Sequence, residues 1–202
     1  MNRKSQRDEE LAKELLIALC GYSATLYCAD TPDLRDDERS IGIEVTQACY
    51  PQLKDDDAVL RSFLGKTEEE IPYKYKKRYE TYLEQGRIIY QDGKVKRVAS
   101  GVFNADNMEL VQDAIRKKIA KLNQGHYADC KQYGLFVFSY FCEFGFDDNI
   151  HLLMDALRTC QAGEERQFTL LYLVSGTLLV ICDIPAQTFT RQELPAELQY
   201  QF

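Results

Sequence analysis

The chain has 202 residues, 45% hydrophobic and 28% charged, a composition that fits a globular domain with its own core and argues against a disordered or fibrous class. Its net charge of −7 argues against nucleic-acid binding by bulk positive charge, so any basic contact surface must be local. Seven cysteines without a Cys-x-x-Cys pair, and only two histidines, argue against a structural zinc site and fit reduced thiols in a cytoplasmic protein.

The first ten residues run into charge rather than into an apolar signal segment, and no run of about 18 apolar residues occurs, so neither export by that route nor a membrane span is expected. From Arg7 to Tyr22, apolar residues recur at three- and four-residue intervals, which predicts an amphipathic helix covering a sheet. Pro32-Asp33-Leu34-Arg35, an acidic turn through Asp36, Asp37 and Glu38, and a β-branched run from Ile41 to Gln47 then read as a hairpin.

Residues 49–101 break this pattern and read as an accessory insertion in a single domain. Helical stretches are expected near Asp55 to Phe63 and from Glu68 to Leu83. They are followed by a hairpin of Arg87–Tyr90 and Lys94–Val98 around the tight turn Asp92-Gly93. A helix from Met108 to Asn123 restores regular structure. Leu135–Phe141 is apolar enough for a strand buried on both faces, the usual state of a strand inside an α/β sheet. A helix near Ile150 to Thr159 and strands at Phe168–Val174 and Thr177–Ile184 complete the pattern, and the tail after Pro185 carries no clear signal. Cys142 and Cys182 lie in apolar runs, where a thiol acts as a small core residue.

The chemistry concentrates around residues 32–46. Alternation along the strand sends Ile41, Ile43 and Val45 to one face and Glu44 and Thr46 to the other. The hairpin can bring Asp33 close to Glu44, and two such carboxylates repel unless a cation or proton compensates them. Hard oxygen ligands suit Mg²⁺ or Mn²⁺, which keep waters and bind phosphate oxygens, so the chemistry favoured is phosphodiester hydrolysis.

With Pro32-Asp33 before a strand reading Gly42-Ile43-Glu44-Val45-Thr46, the chain resembles the PD-(D/E)XK nuclease superfamily. The resemblance covers roughly Asp8–Gln47 and Met108–Phe141. It implies a three-layer α/β, restriction-endonuclease-like core with a mixed central sheet, and a metal-dependent nuclease acting on nucleic acid, most of all DNA. Asp33 and Glu44 would be the catalytic metal ligands. The sequence departs from the family pattern at Thr46, where the lysine of Glu-x-Lys is expected. The superfamily tolerates migration of that lysine to a neighbouring helix, which points to Lys118, with Lys121 as second choice. Helical geometry points the same way, since Lys118 lies at the edge of the stripe Val111, Ile115, Ile119 and Leu122. The bland reading of Lys118 is an aliphatic stem covering the core with its ammonium in solvent. The resemblance also makes first-helix glutamates, Glu10 and Glu14, candidate additional ligands, although ordinary surface charge explains them as well.

Residues 71–100 hold eight basic residues against three acidic ones. Lys74, Lys77, Arg78, Lys96 and Arg97 are therefore candidate phosphate contacts. Tyr75, Tyr79 and Tyr82 can stack on bases, but packing on a core is the preferred reading. His126 and His151 have neither a nucleophile partner nor metal-ligand spacing. The alternative function is a nuclease-fold protein without catalysis that binds nucleic acid or another protein. A homodimer is left open.

Overall fold

In the computed structural model, residues 3–49, 62–84, 86, 88–98, 108–124, 127–139, 144–195 and 198 are described. Tertiary contacts divide the chain into two compact units, Met1–Ala48 with Ala105–Phe202 and, between them in sequence, Cys49–Asn104.

The larger unit is built on a mixed sheet of seven strands in the order β1-β2-β3-β6-β7-β8-β9. These are β1 (Tyr27–Cys28), β2 (Leu34–Asp36), β3 (Ile41–Ala48), β6 (Gln132–Ser139), β7 (Phe168–Ser175), β8 (Leu178–Asp183) and β9 (Thr188–Glu193). β3, β6 and β7 run parallel at its centre, and the outer pairs are antiparallel. Period-two alternation feeds two cores on opposite faces.

On one face, helix α1 (Arg3–Leu19) buries Leu11, Ala12, Leu15 and Leu16 against Ile41, Ile43, Val45, Phe136 and Phe138. Leu15 and Leu16 are wholly buried, each contributing about 1.5–3 kcal/mol of apolar transfer. On the other face, α3 (Met108–Asn123) and α4 (Asp147–Cys160) pack on Leu135, Val137, Leu171 and Leu173. β6 is thus buried on both sides, as its composition predicts, and the layers are helix, sheet, helix.

The first helix ends at Leu19 rather than Tyr22, and Tyr22 joins the same core from the following loop. The tail after Pro185 supplies β9, antiparallel to β8. Its sequence hid this, because Thr188-Phe189-Thr190-Arg191-Gln192-Glu193 is an edge strand with one apolar residue, and edges tolerate polar faces. Cys182 is buried in the core and Cys142 lies outside the described residues. The described cysteines are all unpaired, and no helix among the described residues is long and apolar enough to cross a membrane.

In the unit of residues 49–104, 3-10 turns at Glu68–Glu70 and Tyr73–Tyr75 precede α2 (Lys76–Glu84) and the hairpin β4 (Ile88–Gln91) and β5 (Lys94–Val98). The single helix expected from Glu68 to Leu83 is therefore broken. Pro72 is the reason: it disfavours helical geometry in the residue before it, and Ile71 is extended with φ −65° and ψ 124°. The hairpin turns where expected, with Asp92 and Gly93 both at positive φ (52° and 72°), as a two-residue turn requires. Phe63, Ile71, Tyr79, Tyr82, Ile88 and Val95 form this unit's own core. The helix expected near Asp55 to Phe63 lies largely outside the described residues.

Candidate active site

The site begins with how Asp33 is placed. The antiparallel register pairs Leu34 with Ile43, and continued by one step it sets Asp33 opposite Glu44. The β2 ladder stops at Leu34, and the Asp33 carboxylate takes over as acceptor: its Oδ2 receives the Val45 N–H at 2.7 Å. Pro32 fits here because Gly42 has no side chain. A Cβ on Gly42 would lie 2.4 Å from Pro32 Cγ and 3.1 Å from Cys130 Sγ. The glycine before Ile43-Glu44 is thus what lets the Pro32-Asp33 segment lie against β3.

Glu44 projects from the middle of β3 toward the α3 side and is 0% exposed. A carboxylate buried this deeply must be compensated. Lys118, on α3 between the buried Ile115 and Ile119, donates from Nζ to Glu44 Oε2 and to Asp33 Oδ2 at 3.0 Å. One ammonium therefore bridges the two carboxylates. Its side chain is 15% exposed, so the reading of a stem covering the core with its charge in solvent does not describe it. Lys121, one turn further along, donates to Glu44 Oε2 at 3.2 Å and is 44% exposed. Thr46, on the same face of β3, is half-buried.

Tyr127 was not legible as a site residue. Its hydroxyl donates to Glu44 Oε1 at 2.7 Å, so both oxygens of Glu44 are engaged. Tyr127 lies on the loop between α3 and β6, with no spacing signature relative to either carboxylate. That loop is tied down on both sides. Ala128 N–H donates to Thr31 O at 3.3 Å, while Tyr133 Oη donates to Ala128 O at 2.9 Å and accepts from Cys130 N–H at 3.1 Å. Asn123 anchors the end of α3, its side chain exchanging hydrogen bonds of 3.0 Å with the backbone of Arg166.

The electrostatics separate the two carboxylates. Burial pushes Glu44 upward, but the charge and hydrogen bond of Lys118, the Tyr127 hydroxyl and Lys121 outweigh it and hold Glu44 below the ordinary glutamate value. Burial, then the neighbouring Glu44 charge, raise Asp33 above its ordinary value, and Lys118 and the Val45 N–H offset this only in part. Asp33 is therefore the member of the pair that takes a proton first as pH falls. Burial alone would lower Lys118, yet Glu44 and Asp33 together raise it, so it stays an ammonium. Burial and the Glu44 hydrogen bond raise Tyr127, which stays a neutral donor.

The first-helix candidates stand elsewhere. Glu10 and Glu14 are exposed, and α1 covers the face of the sheet opposite Glu44. Glu10 pairs with Lys13 at 3.4 Å and neighbours Cys28, whose thiol burial and then Glu10 push up to about 11. Neither glutamate belongs to the Asp33–Glu44 site: helical spacing shows which residues share a face, but not which side of the sheet that face covers.

Among the described residues no three or more His, Cys, Asp or Glu side chains group together as a metal site. A cation at Asp33 and Glu44 would thus have two protein carboxylates and complete its shell with water. The donor set fits Mg²⁺ or Mn²⁺, which bind through one or two carboxylates plus waters and phosphate oxygens. Asp33 Oδ1 has no hydrogen-bond partner among the described residues, unlike Oδ2, which leaves an oxygen for that purpose.

In the unit of residues 49–104, Lys74, Lys77, Arg78 and Lys96 are exposed. Tyr79 and Tyr82 are buried, in agreement with the core reading. Lys74 falls in the 3-10 turn rather than on the helix, its Nζ 4.6 Å from the Tyr75 ring centroid. The most exposed aromatic is Tyr73, at 92%, which was not among the expected tyrosines. The side chain of Arg97, together with Arg87 and His126, lies outside the described residues. His151 is exposed, its ring 5.3 Å from that of Phe189 in an edge contact.

No family model, curated protein or solved structure matches this chain.

Proposed function

We propose that this protein is a divalent-metal-dependent nuclease of the restriction-endonuclease-like type, hydrolysing phosphodiester bonds, most of all in DNA. The observation that carries the reading is the convergence of Asp33, Glu44 and Lys118: two carboxylates from neighbouring strands and a lysine from a helix 74 residues beyond Glu44, joined through one ammonium. Asp33 and Glu44 would hold Mg²⁺ or Mn²⁺, which supplies Lewis-acid polarisation of the phosphate and a more acidic bound water. Tyr127 and Lys121 keep Glu44 ionised and fixed. Lys118 places a positive charge where negative charge develops on the phosphate in the transition state, which is what the Thr46 position lacks.

The test is cleavage of single-stranded DNA, duplex DNA and RNA by wild type, Asp33→Ala, Glu44→Ala and Lys118→Ala, with Mg²⁺, Mn²⁺ or chelator. The expected result is metal-dependent cleavage that Asp33→Ala and Glu44→Ala abolish. Failure of the wild type to cleave any substrate, or cleavage undiminished in every variant, overturns it.

A second reading is binding without cleavage. It is favoured by the threonine at position 46 and by the exposed Tyr73 beside Lys74 and Lys77, a pairing of ring and charge suited to single-stranded nucleic acid. Binding that weakens with salt and on neutralising Lys74, Lys77 and Arg78, with no cleavage, would select it.

A further inference from the structure

We propose that the Lys118 ammonium is the resident counter-cation of the Asp33–Glu44 pair, and that a divalent ion is bound by exchange with it, so that metal entry and release of Lys118 are one event. The proposal rests on the metal-dependent reading above and extends it to how the site is controlled.

The geometry is that of an already compensated site. Glu44 Oε2 takes hydrogen bonds from both Lys118 and Lys121, its Oε1 takes one from Tyr127, and Asp33 Oδ2 takes one from Lys118 and one from Val45. Two negative charges face two positive ones. A divalent ion touching both carboxylates has to occupy the region where Lys118 Nζ now bridges them, and two cations do not share that position at contact distance. Asp33 Oδ1 is the oxygen from which exchange can start, because it carries no hydrogen bond among the described residues. Lys121, more exposed and bound to Glu44 alone, can stay.

Two consequences follow. The protein without metal does not carry an uncompensated buried carboxylate pair, so metal is not required for folding. And Lys118, once displaced, is a buried ammonium without its two acceptors, which finds compensation in a substrate phosphate. Metal and phosphate binding are therefore coupled through one side chain, and each promotes the other.

The experiment measures binding of Mn²⁺ alone, by the loss of the free-ion magnetic resonance signal, to wild type, Lys118→Met and Lys118→Gln, with Asp33→Asn added in each background. A lysine within contact distance shifts a carboxylate by one to three pKa units, so removing it should tighten Mn²⁺ binding by about tenfold or more. Asp33→Asn should erase that gain. Mn²⁺ should raise the melting temperature of the Lys118 variants more than that of wild type. Should the methionine variant not fold, the glutamine variant carries the comparison, and Mg²⁺ titration of wild type followed by the side-chain nitrogen resonance of Lys118 reports displacement directly. If wild type binds Mn²⁺ and the Lys118 variants bind it no more tightly, exchange is wrong while the metal reading stands. If neither wild type nor any variant binds Mn²⁺ at millimolar concentration, the metal reading itself is wrong and takes the exchange with it.

Discussion

The β2–β3 hairpin buries two carboxylates, Asp36 on the α1 side and Glu44 on the α3 side, both 0% exposed, and they are satisfied in opposite ways. Asp36 is served locally: its Oδ1 accepts the Arg39 N–H at 3.1 Å, and Arg39 Nε stands 3.8 Å from Oδ2, both within the same turn. Glu44 is served from 74, 77 and 83 residues away, by Lys118, Lys121 and Tyr127. A carboxylate that only shapes a turn is met by its own turn. One that recruits two lysines and a tyrosine from a distant helix and loop is held for another purpose, since a buried ion pair is a costly way to secure stability alone.

This contrast can be broken most sharply by Glu44→Ala. Removing one member of a buried charge network leaves its partners uncompensated, and the expected loss is about 3–5 kcal/mol, read as the change in urea-unfolding free energy. The stabilisation also has a pH signature. Glu44 is held below its ordinary value of 4.5, so its contribution is present above that value and is lost as pH falls through the lower folded-state value. The stability gap between wild type and Glu44→Gln should therefore shrink on acidification below about pH 4. A gap that is constant from neutral to acid pH would mean that the Glu44 charge is not what the network stabilises.

Tyr127→Phe removes one hydrogen bond to a charged acceptor and should cost about 1.5–3 kcal/mol, with cleavage impaired. Wild-type stability in the phenylalanine variant would show that the hydroxyl contributes nothing to holding Glu44. Gly42→Ala drives a methyl group into Pro32 and should cost about 1–3 kcal/mol. It should also weaken Mn²⁺ binding, because Asp33 follows Pro32 directly in the chain. Unchanged binding would show that Asp33 is placed without that contact.

The smallest effect should come from Asp36→Asn. Asparagine keeps the oxygen that accepts the Arg39 N–H, and the ion pair lost is to an arginine whose side chain is 47% exposed, worth about 0–1 kcal/mol. Cleavage should be unchanged. An Asp36→Asn loss as large as that of Glu44→Ala would erase the distinction between the two carboxylates.

The sequence by itself determined most elements of the larger unit. Periodicity marks α1 and α3, alternation marks β3, and the unbroken apolar run of β6 follows from burial between helices on both faces. It also singled out Asp33, Glu44 and Lys118, because strand alternation and helix spacing are local rules that show which side chains cannot sit comfortably with their neighbours. What lies beyond those rules was not legible. The break at Pro72, the polar edge strand β9 and the side of the sheet that α1 covers each depend on which surfaces meet. Only the tertiary structure decided that Glu10 and Glu14 stand on the far face, that Gly42 makes room for Pro32, that Tyr127 is the third donor to Glu44, and that one lysine bridges both carboxylates. Those are contacts between segments tens of residues apart, and no spacing in the chain encodes them.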